Sequence, residues 1–184
     1  MVKILLLLLV LSSDSLKPYT FRNDTLFINY WHAVNEDYLK YYLDIVDRYQ
    51  PAVVWLRVET YGGDPFSAID FVLTVREKHE LITQSNGLVA SAGLLLFLGG
   101  DKRIASRYTL FLIHDIKTLT IGFLSSSDSR KQAEDMAKIQ NVINRFIAEQ
   151  TGLDVDVVDS LSSRETWLTG KEAMKFNFAT EVRE

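Results

Sequence analysis

Residues 52–79 read AVVWLRVETYGGDPFSAIDFVLTVREKH. The opening β-branched run, AVVWLRVE, reads as a buried strand. Gly62 and Gly63 permit a sharp turn. Asp64 can then cap a helix, with Pro65 at its first position, and FSAIDFVLTVREKH carries that helix onward. The same order recurs on both sides. TLFINYW (25–31) is a strand, followed by a helix over 35–50 whose apolar residues 39, 42, 43 and 46 form one stripe. LITQS (81–85) is a strand, NG a turn, and SAGLLLFLG (91–99) a short helix apolar on every side, hence buried. KRIAS (102–106) and TLFLIH (109–114) follow as strands. A long amphipathic helix spans about 127–150, with Met136, Ile139, Ile143 and Phe146 on one face. In TWLTGKEAMKFN (166–177), Thr169 and Glu172 form a capping box, and Asn177 suits a left-handed helix end. Strands alternating with helices predict an α/β fold with a mainly parallel sheet.

The 184 residues suffice for one ordinary domain with its own core. A formal net charge of −4 leaves no basic footprint for nucleic acid. Cysteine is absent, which excludes disulfides and thiolate catalysis. The three histidines, His32, His79 and His114, are scattered, so no metal site is expected. The N-terminal MVKILLLLLVLSSDS holds one lysine and an apolar run from Ile4 to Leu11. It is too short to span a bilayer, so no membrane role is expected. It fits either a short secretory signal, although no clear small-residue cleavage site follows, or a buried or assembly segment. The division expected is an apolar N-terminal segment over 1–24, open to processing, and one domain over 25–184.

NGLVASAG (86–93) raises the question of function. A serine among alanines and glycines commonly marks tight packing, yet Ser91 has the setting of a nucleophile. A serine hydroxyl needs a base within reach, a group to orient that base, and backbone donors for the developing oxyanion. Ser91 follows a strand and a glycine turn at the start of a buried helix, where free N–H groups and the helix dipole favour an anion. Ala92 N–H is one natural donor, and Gly63 N–H a second. Among bases, His32 in YWHAV reads as a turn residue, and His79 in REKHE as a solvated cation at a helix end. His114 ends an apolar strand, where α/β sites collect, although it could merely cap that strand.

Four stretches in order resemble the Clp protease proteolytic-subunit family. They are VVWLRVETYGG (53–63), NGLVASAGLLLFLGGDKRIAS (86–106), SRYTLFLIHD (106–115) and EQTGLDVDVVDSLSSRETWLTGKEAMKFNFAT (149–180). The likeness runs from about Thr25 to Thr180. It implies the ββα superhelix shared with the crotonase group, with the helix at 127–150 as a protruding handle. It implies a serine endopeptidase with Ser91 as nucleophile, His114 as general base and Glu165 as the acid, where the family has aspartate. Gly63 and Ala92 would form the oxyanion hole, and Arg164 would contact neighbouring subunits. Subunits of the family stack as two heptameric rings around a chamber in the cytoplasm. They receive unfolded polypeptide from a separate AAA+ unfoldase that spends the ATP, so no cofactor is expected here. In such rings the N-terminal segment forms the axial pore and includes apolar residues, which favours the assembly reading of the run at 4–11.

The departures from the family pattern are specific. Tyr61 replaces a proline before the glycine pair, and Asp115 replaces a glutamine after the histidine. Asp115 should point away from His114 along the strand. Asp156 and Asp159 are fallback acids. Trp55 keeps the aromatic character of the unfoldase docking pocket, whereas Arg57 does not. Relatives of the fold with hydratase chemistry or a Ser-Lys dyad do not account for Ser91, His114 and Glu165 together. The alternative is a catalytically inactive paralogue with a structural role in mixed rings. A divergent chain of this kind would suit a phage-type or accessory copy.

Overall fold

The structure, a computed structural model, describes residues 18–117 and 125–184. The apolar run at 4–11, with the role expected for it, lies outside the described residues. Nine strands and six helices alternate among those described: β1 (Tyr19–Arg22), β2 (Thr25–Tyr30), α1 (Glu36–Tyr49), β3 (Val53–Val58), α2 (Pro65–Arg76), β4 (Glu80–Ser85), β5 (Leu88–Ala90), α3 (Ala92–Leu98), β6 (Lys102–Ser106), β7 (Leu110–Ile113), α4 (Ser126–Thr151), α5 (Val155–Ser163), β8 (Thr166–Thr169), α6 (Gly170–Lys175) and β9 (Glu181–Arg183). The main sheet runs β1-β2-β3-β4-β6-β9, and a smaller one runs β5-β7-β8. In the main sheet only β1 is antiparallel to its neighbour. Tyr19–Arg22, which composition assigns to the N-terminal segment, thus pairs with β2 as an edge strand of this sheet. The segments β4-β5-α3 and β6-β7-α4 each repeat a strand in the main sheet, a strand in the small sheet and a helix, as the expected superhelix requires.

Local chemistry accounts for the elements. Asn35 caps α1 by accepting from Tyr38 N–H, and Gln50 ends it in the left-handed region. Leu39, Tyr42, Ile45 and Val46 form its buried stripe. Asp64 caps α2 by accepting from the N–H groups of Phe66 and Ser67, at 3.1 and 3.2 Å. The Thr169–Glu172 capping box is present, and its hydrogen bonds from Thr169 N–H and hydroxyl hold the Glu172 carboxyl below the usual range. All seven residues of α3 are buried, which makes it the centre of the core. Phe97 of α3 meets Phe111 of β7 at a ring-centroid distance of 4.9 Å.

Leu88–Ala90, unassigned in the sequence between the NG turn and α3, is a strand. Two expectations are corrected. Strand β3 is buried on one face only. Val54, Leu56 and Val58 face the core, while Trp55 is half-buried and Arg57 exposed on the other face. His79 is also half-buried rather than solvated, with Nδ1–H donating to Pro51 O at 2.6 Å. The far edge is locked by Arg103, 6% exposed. Its guanidinium donates to the carbonyls of Gly100, Asn177 and Phe178, and burial lowers its pKa.

Two phenols inside the core titrate late. Burial, then the neighbouring Tyr41, pushes Tyr42 up to about 12, and burial raises Tyr30 as well. Burial disfavours the phenolate, so the folded chain keeps protons that the unfolded chain releases near pH ~10. This contribution to stability is whole below pH ~10 and is lost as pH rises through the folded value. The melting temperature should therefore fall between pH 10 and 11.5 less steeply in Tyr42→Phe than in the unaltered protein. Equal slopes in a thermal melt series would refute this.

Candidate active site

Four extended segments lie side by side at the small sheet. Thr60 forms a parallel bridge to Val89. β5 pairs in parallel with β7, Ala90 opposite Leu112. β7 pairs antiparallel with β8, Ile113 opposite Thr166. Continuing these registers by one to three residues aligns Gly63, Ala92, His114 and Glu165 in one row. Ser91 and His114 thus stand just past the carboxyl ends of two neighbouring parallel strands. Sites of α/β proteins gather there because the strand ends converge while their side chains become free of the ladder.

Ser91 has φ 56° and ψ −129°, an unusual conformation for a residue with a Cβ. It is held there from both sides. Its N–H donates to Leu112 O at 3.0 Å, and its carbonyl accepts from Leu94 N–H at 2.9 Å. Its side chain makes no capping hydrogen bond to α3, so the hydroxyl stays available at the mouth of a cavity. Ala92 begins α3, where an N–H has no acceptor one turn earlier. The turn at 60–63 packs against this backbone. Gly62 has φ 103°, and a Cβ on it would fall 2.5 Å from Ser91 Cβ and 3.0 Å from Ala92 N. A Cβ on Gly63 would run into Val34 O. The turn is pinned by Val34 N–H to Gly62 O at 2.9 Å and Asp64 N–H to Val34 O at 2.8 Å. The buried Thr60 hydroxyl accepts from Gly62 N–H and donates to His32 O.

His114 and Ser91 line one cavity of about 260 Å³, together with Gly63, Ala92 and the apolar side chains of Leu95, Ile113, Ile143 and Ile147. His114 Nδ1 lies 2.5 Å from Asp115 O. A carbonyl can only accept, so Nδ1 carries a proton, and in the neutral ring Nε2 then offers a lone pair. That is the tautomer a general base needs.

Glu165 is opposite His114 in register but points elsewhere. It has φ 52°, and its carboxylate accepts from Lys117 Nζ at 3.1 Å, with both side chains more than half exposed. Among the described residues, no hydrogen bond joins Ser91 Oγ to His114 or His114 to Glu165. The fallback acids do not touch the histidine either. Asp156 is exposed. Asp159 accepts from Asn144 Nδ2 at 3.1 Å. Arg164 is exposed at the C-cap of α5 and makes no ion pair among the described residues. Three polar residues escape sequence reasoning: Thr60, Lys117 and Gln140, which binds Ile116 N–H. Only Thr60 left a trace, as a hydroxyl residue just before a glycine turn.

A family model described as Clp protease matches residues 41–184. The chain is 30% identical over 139 residues to ATP-dependent Clp protease proteolytic subunit 2 of Treponema pallidum, covering 71% of this chain and 66% of the relative. It is 31% identical over 123 residues to proteolytic subunit 3 of Rhizobium johnstonii, covering 66% and 60%. It is 37% identical over 98 residues to the proteolytic subunit of Paracoccus denitrificans, covering 51% and 47%. The chain belongs to the Clp protease family. The matches span about half to two thirds of the length of these relatives.

Gly62→Ala should destabilise the protein by about 1–3 kcal/mol, the scale of backbone strain at a site that cannot relax. Gly152→Ala, at φ 73° with nothing within 4 Å of its Cβ, should cost only the left-handed backbone strain of a Cβ, about 1 kcal/mol. Urea unfolding of both variants checks the order. A smaller loss for Gly62→Ala would contradict the close packing of its turn on Ser91.

Proposed function

We propose that this chain is a cytoplasmic serine endopeptidase of the Clp type that hydrolyses unfolded polypeptide. The observation that carries this reading is the free hydroxyl of Ser91, held at φ 56° beside His114 on a shared cavity. Nε2 of His114 takes the Ser91 proton as Oγ attacks the scissile carbonyl. The oxyanion is received by the N–H groups of Ala92 and Gly63. His114 then gives its proton to the leaving amine, and water repeats the sequence on the acyl-enzyme. The aliphatic wall of the cavity favours an apolar substrate side chain next to the scissile bond. Glu165 is the candidate acid, a reading supported by the β7–β8 ladder, whose last pair, Ile113 and Thr166, would bring Glu165 opposite His114 if carried on by one residue. To reach the ring it must leave Lys117, and an exposed ion pair contributes only about 0–1 kcal/mol, so the exchange is cheap.

Assembly follows the family. Serines, charged residues and a few apolar ones make up the first half of α4, and residues 126–138 are exposed apart from half-buried Gln132 and Met136. A helix half of that kind gains its stability from a partner rather than from its own core. It suits the handle between two stacked rings that enclose the sites, with the exposed Arg164 available for a neighbouring subunit. The half-buried Phe27 and Trp55 on the outer face of the main sheet, 5.8 Å apart, suit an AAA+ unfoldase that supplies the ATP-driven step. One observation favours a second reading, the inactive paralogue in mixed rings: the carboxylate of Glu165 is engaged by Lys117, not by His114.

A fluorophosphonate probe and a short fluorogenic peptide separate the two readings. The unaltered protein should label at Ser91 and turn over peptide. Ser91→Ala should lose both, with kcat down by about 10⁶, and Glu165→Gln should lower kcat about 10³–10⁵-fold. A protein that neither labels nor cleaves supports the inactive copy. If Asp156→Asn proves more damaging than Glu165→Gln, the acid is misassigned. Light scattering at micromolar concentration should find a large oligomer, and a fully active monomer would contradict the ring.

A further inference from the structure

Past Ile113 the strand β7 has left its ladder, yet the next peptide group is gripped at both ends. Its carbonyl, Asp115 O, accepts from His114 Nδ1 at 2.5 Å. Its amide, Ile116 N–H, donates to Gln140 Oε1 at 2.7 Å across 24 residues. Gln140 Nε2 donates to Asn144 Oδ1 at 2.8 Å. Asn144 is 2% exposed, and its Nδ2 donates to Asp159 Oδ1 at 3.1 Å. The buried Ser162 hydroxyl also donates to Asn144 Oδ1, at 3.4 Å.

The direction of this chain is dictated by its far end. An ionised carboxylate can only accept, so Asp159 must take the amide NH₂ of Asn144. The oxygen of Asn144 therefore faces Gln140 and claims its NH₂. Gln140 is left with an oxygen to present, which is what Ile116 N–H needs. The Asp115–Ile116 peptide is planar and trans, so its N–H and C=O point in opposite directions. Each bond polarises the next. A negative charge on Asp159 is thus relayed through two amides and one peptide group to the ring nitrogen of His114.

We propose that Gln140 is a positioning residue for His114, the middle link of a relay by which Asp159 orients and polarises the Asp115 carbonyl that holds Nδ1. The relay performs the orienting role on the histidine while Glu165 is engaged by Lys117. It rests on the peptidase reading of Ser91 and His114, and it gives Asp159 a role that needs no contact with the ring. Among the described residues, the bond to Gln140 is the one backbone hydrogen bond that ties residues 114–117 to another element.

The test uses the full-length assembled protein, a short fluorogenic peptide and amide hydrogen exchange. Gln140→Met keeps the length of the side chain and removes the acceptor. It should lower kcat about tenfold, the scale of one hydrogen bond, with KM within about twofold, and speed amide exchange across 114–117. Gln140→Glu gives up the bond to Asn144 but keeps an oxygen on Ile116 N–H and brings to it a negative charge of its own in place of the one relayed from Asp159, so it should retain kcat within about threefold. A change in KM alone, or equal losses in both variants, would indicate a merely structural role and overturn the relay. If the unaltered protein neither labels nor cleaves, the peptidase reading falls, and exchange at 114–117 still decides the relay: equal protection in Gln140→Met overturns it. Should Gln140→Met fail to fold, Asp159→Asn on the exposed face of α5 takes its place. A kcat about threefold lower at constant KM supports the relay, and an unchanged kcat overturns it.

Discussion

The parallel pairing of two very short strands, Leu88–Ala90 and Leu110–Ile113, is the constraint on which the candidate site depends. It fixes the height of Ser91 relative to His114, since each is the first residue beyond its strand. It also dictates what can stand on either side. A segment approaching β5 from its other edge must come within van der Waals contact of Ser91, and only glycine at 62 leaves room. Three residues of ladder could not hold this arrangement alone. The buried α3 and the contact of Phe97 with Phe111 supply the missing rigidity, because displacing either strand would open a void in a close-packed core.

Much of this was legible in the sequence, and the residues explain why. Asp64-Pro65, Thr169-Glu172 and Asn177 act through bonds within a few positions, so local chemistry sufficed. Ser91 and His114 could be nominated because each lies at a change of element, where a polar side chain is freed from the core. Strand β5 was hidden because LVA is too short for alternation to be visible between a turn and an all-apolar helix. The outer face of β3 was misjudged because a continuous apolar run has the same appearance whether one face is covered or two.

The choice of partner by Glu165 was out of reach for another reason. Lys117 and His114 both follow Ile113, the β7 residue that faces Thr166, and an exposed ion pair is worth only about 0–1 kcal/mol, so the residue pattern does not decide between them. The links of Gln140 to Ile116 and Asn144 to Asp159 join residues 24 and 15 positions apart. A glutamine and an asparagine on a long charged helix give no outward sign that their amides are spoken for. The turn from exposed to buried along α4 falls between Ile139 and Ile143, at the same place where the helix meets the segment beyond β7.

Arg103 carries a consequence for the order in which the chain can become native. Its guanidinium sits in the sheet, but two of its carbonyl partners, on Asn177 and Phe178, arrive 74 and 75 residues later. Until those residues emerge from the ribosome, the cation has only Gly100 to satisfy it and must stay hydrated, which keeps that edge of the sheet open. Strand β9 can close against β6 only after they have emerged. Such a long-range contact is slow to form, since loop closure precedes any gain. The nascent chain would thus be a sheet with one wet margin, exposed to a chaperone or to a sister chain until residues 177–183 are in place.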